Sequence, residues 1–137
     1  FRLNAVNQVG GFDTRIKGAA EDRDISIRIK TAGWLLAQNA SARYYRKCPP
    51  TTLVALWKKH FWYGYGTHFL FHKYKNQKSR WELFLPAAFW IGLRDSMKIY
   101  KINHEWRVFL LAPYYSFRSM ASFLGFFRAN FDKYGHY

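Results

Sequence analysis

Gly10-Gly11-Phe12-Asp13, then Ala20-Glu21-Asp22-Arg23-Asp24-Ile25-Ser26-Ile27-Arg28 and Gly33-Trp34, form the stretch on which the fold turns. Paired glycines signal a turn. Ile25, Ile29 and Ala32 recur at i, i+4 and i+7, so the spacing predicts a helix over 21–32. Glu21, Asp22 and Asp24 crowd its first turn, where unpaired backbone N–H groups favour negative charge, and Arg28 and Lys30 sit toward its end. Gly33 is placed to stop it in the left-handed conformation.

Around this helix the expected fold class is an α/β fragment, mostly helical. Residues 1–9 read as a short strand and turn or as a short helix. Trp34-Leu35-Leu36-Ala37 and Ala42-Arg43-Tyr44-Tyr45 read as short strands, and Pro49-Pro50 breaks the pattern. Thr51 or Thr52 caps a long aromatic helix reaching to about residue 76, carrying Leu53, Leu56, Trp57, His60, Phe61, Gly64 and Tyr65 at helical spacing. Gly64 and Gly66 weaken a helix interior by roughly 1 kcal/mol each. Close approach of another element is the reason expected for them. Two amphipathic helices follow, over 81–101 and 105–130, the second expected to bend at Pro113. Arg94, Lys98 and Lys101 line one face of the first. The division is therefore 1–76, mixed in character, and 77–137, an aromatic and basic helical extension.

Composition narrows the partners. The chain has 137 residues, half of them hydrophobic and 21% aromatic, which is too apolar for a disordered chain. Lys and Arg number 22 against 8 Asp and Glu, a formal net charge of +14, and this favours anionic partners. Cys48 stands alone, so neither an intrachain disulfide nor a cysteine-based zinc site is available. The opening Phe1-Arg2-Leu3-Asn4-Ala5-Val6 reads as the middle of a structure rather than a signal peptide. The longest apolar run, over 83–93, is interrupted by Pro86 and falls short of the roughly 20 residues that span a bilayer.

Adjacent carboxylates at a helix mouth suit general-base chemistry, because a positioned carboxylate can take the proton from an attacking hydroxyl. Glu21 and Asp22 project about 100° apart on a helix, so one faces a reaction centre while the other orients it or binds the acceptor. Acids in a first turn also arise simply to complement the helix dipole.

The order glycine-glycine-Phe-Asp, Glu-Asp, an acid two further on, an aliphatic-polar-aliphatic-Arg helix and Gly-aromatic resembles the second half of family 2 glycosyltransferases, the inverting enzymes with a GT-A fold. Ala42-Arg43-Tyr44-Tyr45 is similar to the strand after that helix, and Phe61-Trp62-Tyr63-Gly64-Tyr65-Gly66 to the aromatic-glycine helix that follows. The resemblance covers residues 1–75. It implies the C-terminal half of a GT-A-like domain, with Asp22 as the catalytic base and Glu21 beside it in the acceptor site. Asp24 is expected to support the acceptor, and Trp62 and Tyr63 to offer stacking surfaces for sugar rings. Arg46 stands where many members carry a histidine near the nucleotide phosphates, and a guanidinium can neutralise a pyrophosphate there.

The family's aspartate-x-aspartate motif, which holds a divalent metal (Mg or Mn) and the nucleotide diphosphate, belongs to a preceding half that this sequence does not contain. A metal is thus implied for the whole enzyme with no ligands assigned here, and the isolated chain is expected to be inactive. Gln77-Lys78-Ser79-Arg80-Trp81 formally matches the Gln-x-x-Arg-Trp pattern of processive members such as cellulose and chitin synthases, but it lies beyond the helix that carries the pattern there.

The implied function is sugar transfer from a nucleotide-sugar donor to a hydroxyl of a glycan or lipid-linked acceptor, at the cytoplasmic face of a membrane. An anionic membrane surface is the expected partner of the C-terminal helices, with a helix-mediated homo-oligomer as the alternative occupant. Nucleic acid is not expected, because the aromatics between the cations follow core spacing. His68 and His72, at i and i+4, read as a helix-surface pair rather than metal ligands. The competing class is a non-enzymatic helical module that binds a membrane or a protein.

Overall fold

The computed structural model describes residues 1–39, 41–43, 45, 52–74 and 85–135. Its elements are α1 (Leu3–Gln8), α2 (Glu21–Thr31), α3 (Leu53–Lys73), α4 (Leu85–Asn103), a 3-10 helix (Trp106–Leu110) and α5 (Leu111–Phe131).

Among the described residues there is no strand, so the α/β expectation is corrected: every regular element among them is helical. Residues 34–39 run without regular structure between α2 and the stretch before α3, with Leu35 97% exposed. Their alternation of apolar side chains suits a strand. A strand exists, however, only where a neighbour takes up its backbone N–H and C=O groups, and none is supplied here. Ala42, Arg43 and Tyr45 are irregular and exposed as well, while Tyr44 lies outside the described residues. Residues 1–9 resolve as a short helix.

The local signals for helix ends are met. Gly33 follows α2 with φ +89°. The Thr52 side chain accepts a hydrogen bond from the Ala55 N–H at 3.1 Å, so it caps α3. Pro86 and Pro113 fall in the first turns of α4 and α5, where a missing N–H breaks no intrahelical bond. Pro113 is the third residue of α5, which follows the 3-10 helix without a break. The preceding residues take tighter 3-10 geometry, with the Val108 N–H on the Glu105 carbonyl at 3.3 Å.

Helices α3, α4 and α5 form one layer, α5 packing along both α3 and α4. The α3 and α5 axes run parallel: Trp57 meets Phe117 at 5.1 Å between rings, and His68 meets Phe126 at 4.7 Å. Glycines make this contact close. A Cβ on Gly64 would run into the Ser122 carbonyl, and one on Gly125 into the Phe61 carbonyl. Gly66 admits the loop before α2 in the same way, its missing Cβ leaving room for the Ala19 carbonyl. Helices α1 and α2 bury a small cluster of Ala5, Ile25 and Ile29, sealed by Val6, Val9 and Trp34. A second cluster joins Phe69 and Leu70 of α3 to Ala129 and Tyr134.

Candidate functional site

The loop 10–20 and the first turns of α2 are fastened to the end of α3 by one ion-pair network. Asp24 is 0% exposed and sits at its centre. Its carboxylate accepts from Arg28 Nε at 2.7 Å, from Lys73 Nζ at 2.7 Å and from the Tyr74 hydroxyl at 2.8 Å. Arg28 also reaches back to the glycine turn: Nη1 donates to the Val9 carbonyl and Nη2 to the Gly11 carbonyl, each at 2.7 Å. Lys73 makes a second bond, to Asp13 at 2.8 Å, and Asp13 in turn holds Arg15 through Nε at 2.9 Å and Nη2 at 2.8 Å. Tyr134 closes the loop from the far side, its hydroxyl donating to the Arg15 carbonyl at 3.1 Å and accepting the Lys17 N–H.

The electrostatics follow from these contacts. Burial pushes the Asp24 carboxyl up, but the hydrogen bonds of Lys73, Tyr74 and Arg28 outweigh it and hold the group below its ordinary value. Arg15 holds the Asp13 carboxyl well below the usual range, with Lys73 adding to the effect against burial. Tyr74 moves the other way: burial and the Asp24 charge raise its hydroxyl far above its ordinary value. Asp13 and Asp24 are thus carboxylates at neutral pH, with the neutral Tyr74 phenol donating to Asp24.

Asp24 and Asp22 are two positions apart, about 200° around the helix. Burying one therefore turns the other outward. Asp22 is exposed, its Oδ1 accepting the Arg23 N–H at 2.7 Å, and its own carbonyl accepts the Ser26 hydroxyl at 2.7 Å. Glu21 is exposed beside it. Asp22, Ile25 and Ile29 share one face of α2 at i, i+3 and i+7. Ile29 lines an open groove of about 1040 Å³, together with Arg2, Ala5, Trp34 and Leu35. Asp22 stands about 10 Å before Ile29 along the axis and is outside the groove itself. A smaller concavity of about 170 Å³, between α4 and α5 at Asp95 and Arg118, is also without it.

The remaining sequence-predicted residues divide. Trp62, 45% exposed, lies against Gly18, three residues before α2 begins, where a Cβ would stand 2.6 Å from the indole. Tyr63, also 45% exposed, lies beside His60, with the Lys59 ammonium 5.5 Å above its ring. Arg46 and the Gln77–Trp81 pattern lie outside the described residues. Asp24, expected at the acceptor, has both carboxylate oxygens engaged inside the protein. His68 is not on the surface: it is 0% exposed, packs on Phe126 and donates Nδ1–H to the Tyr134 carbonyl at 2.7 Å.

Among the described residues no three His, Cys, Asp or Glu side chains converge to hold a metal ion. Asp22-Arg23-Asp24 does not fit one, because Asp24 is committed to Arg28 and Lys73. Lys73, Tyr74 and the anchoring role of Arg28 escaped sequence reading. The signal that was available was the acid at position 24, one turn before an arginine on the same helix face. The chain matches no family model, no curated protein and no solved structure.

Proposed function

We propose that this chain supplies the acceptor side of an inverting sugar transferase, with Asp22 as the general base. One observation carries it: across a single helical turn Asp24 is consumed as an anchor while Asp22 is left exposed and, among the described residues, in no ion pair. A base must be held in place yet keep its own oxygen available to the acceptor hydroxyl. The Asp24 network supplies the holding by fixing α2, the glycine turn and α3 to one another. Asp24, Arg28 and Lys73 are positioning residues in this reading, and Glu21 is the acid that orients the acceptor.

The groove at Ile29 and Trp34 continues the face from which Asp22 projects. Its apolar lining favours the lipid-linked acceptor over a free glycan. Trp62, packed on the loop that enters α2, offers half its ring to a sugar. Donor binding is assigned to a part of the enzyme outside these residues, so no step is routed here through nucleotide or metal.

The test uses the longest natural chain that carries these residues, with nucleotide-sugars and polyprenyl phosphate as probes. Asp22→Asn is expected to cut transfer by about 10²–10⁴-fold with donor binding retained. Turnover within about twofold of the parent would remove Asp22 from the base role. A second reading, a helical module that binds without chemistry, draws on the apolar side chains exposed along α4 and α5, Trp90 at 66% and Phe131 at 70% among them. It is favoured if no nucleotide-sugar is bound.

A further inference from the structure

The end of the helical layer where α4 turns into α5 exposes apolar side chains among cations. Ile102 is 79% exposed, Trp106 70% and Leu110 62%. No residue of the 3-10 helix is buried. Because α3 runs parallel to α5, its first turn lies at this same end, and Leu53 and Val54 are exposed there too.

These side chains are held out by a fixed backbone. His104 reverses the chain with φ +54°, its N–H closing α4 on the Tyr100 carbonyl at 2.8 Å. The Ser96 hydroxyl, 0% exposed, lies 2.8 Å from the Val108 carbonyl and 2.7 Å from that of Gly92, pinning the 3-10 helix to α4. The Tyr100 ring rests on Phe109 at 5.6 Å. The turn therefore cannot collapse to hide its own apolar groups. Lys98, Lys101 and Arg107 stand among them, with Glu105 the single acid between positions 98 and 110.

We propose that this end of the molecule docks on an anionic lipid bilayer, with Ile102, Trp106 and Leu110 entering the interfacial layer and Lys98, Lys101 and Arg107 meeting lipid phosphates. Charge complementarity chooses the occupant. A second copy would set the same cations against each other, in a chain already at +14. Single-stranded nucleic acid would satisfy the cations and stack on Trp106, but it has nothing to offer Ile102 and Leu110. A bilayer surface presents phosphate and hydrocarbon in successive planes, and the tryptophan ring belongs at their boundary. Docking is superficial, since no helix among the described residues is long and apolar enough to cross a membrane.

The inference does not depend on sugar transfer. The Asp24 anchor grips Lys73 at the far end of α3, about 30 Å along the axis from Leu53.

The experiment is cosedimentation of the full chain with vesicles of phosphatidylcholine, alone or mixed with phosphatidylglycerol, across a salt series. Binding is expected only to the mixed vesicles, weakening as salt rises. The combined variant Lys98→Gln, Lys101→Gln, Arg107→Gln should weaken it by about a hundredfold or more. The combined variant Ile102→Ser, Trp106→Ser, Leu110→Ser should reduce it by at least about tenfold at every salt concentration. Asp22→Asn should bind as the parent does. Should a tip variant lose its helical circular dichroism, quenching of tryptophan emission by spin-labelled lipid still decides: the parent should lose more emission than Trp106→Phe. Equal quenching of the two, or no binding to anionic vesicles at low salt, overturns the proposal. So does a dimer, or an oligonucleotide complex, that the apolar tip variant abolishes while vesicles are ignored.

Discussion

The mouth of α2 and the tip between α4 and α5 use charge in opposite ways. Four of the eight acids, Asp13, Glu21, Asp22 and Asp24, fall between positions 13 and 24. Two of them are spent inside, where Arg15, Arg28 and Lys73 neutralise them and tie together segments that share no sheet and little apolar core. At the tip the cations meet a single acid, Glu105, and stand beside apolar side chains that nothing described here covers. Charge neutralised within the fold fixes backbone. Charge left outside, next to exposed hydrocarbon, is available to a partner.

Deleting one partner from each region tests that contrast most sharply. Asp24→Ala leaves Arg28 and Lys73 facing each other without their shared carboxylate, and breaking a buried pair typically costs 3–5 kcal/mol. Both cations keep about a fifth of their side chains in water, which places the expected loss near the lower figure, about 3 kcal/mol. Ile102→Ser at the tip should change stability by no more than about 0.5 kcal/mol. Urea denaturation, read as midpoints at unchanged slope, separates the two. A tip variant as damaging as Asp24→Ala would mean that the tip is part of the folded core.

Glycine substitutions sharpen the contrast at smaller amplitude. Gly64→Ala drives a methyl group into the Ser122 backbone carbonyl, so α3 and α5 must part, and a loss of about 1–3 kcal/mol is expected. Gly33→Ala meets open space and pays only for its positive φ, about 1 kcal/mol. Thermal unfolding of the two variants should rank them in that order. The reverse ranking would show that α3 and α5 are not in close contact.

What the sequence revealed and what it concealed follow the range of the interactions. The extent of α2, the left-handed Gly33 and the Thr52 cap are set within a turn or two of chain and were legible, while Gly64 and Gly66 announced a close approach without naming its partners, Ser122 and Ala19. Residues 34–37 carry a strand-like pattern, but a ladder is a property of two segments, and the second is lacking among the described residues. Asp22 and Asp24 look interchangeable in the sequence. What separates them is Tyr74, 50 positions away from Asp24, together with its neighbour Lys73, and no local periodicity announces either. The sequence places Pro113 inside a helix over 105–130, whose first residues take 3-10 geometry. As a first-turn residue it marks the start of α5.

The mildest perturbation is pH, and it acts on the α3–α5 contact at His60 and on the mouth of α2 in separate windows. His60 of α3 packs between Tyr63 and Tyr114, and its Nε2 lies 3.3 Å from the Tyr114 hydroxyl. Burial, with the charges of Arg118 and Lys59 adding to it, lowers its imidazole from 6.5 to about 4. The unfolded chain therefore binds a proton at His60 that the folded chain refuses, so stability is complete above about pH 6.5 and declines as pH falls toward 4. Asp24 is depressed from its ordinary carboxylate value, so its contribution is intact throughout that window and is lost only below it. Unfolding midpoints measured from pH 7.5 to pH 3 should thus show one decline between about pH 6.5 and 4 and a second below it. His60→Gln should flatten the first step and leave the second, while Asp24→Asn should leave the first and reduce the second, to which Asp13 also contributes. If His60→Gln keeps the first decline, the imidazole is not the group that titrates there, and the division of the molecule into two separately acid-sensitive regions fails.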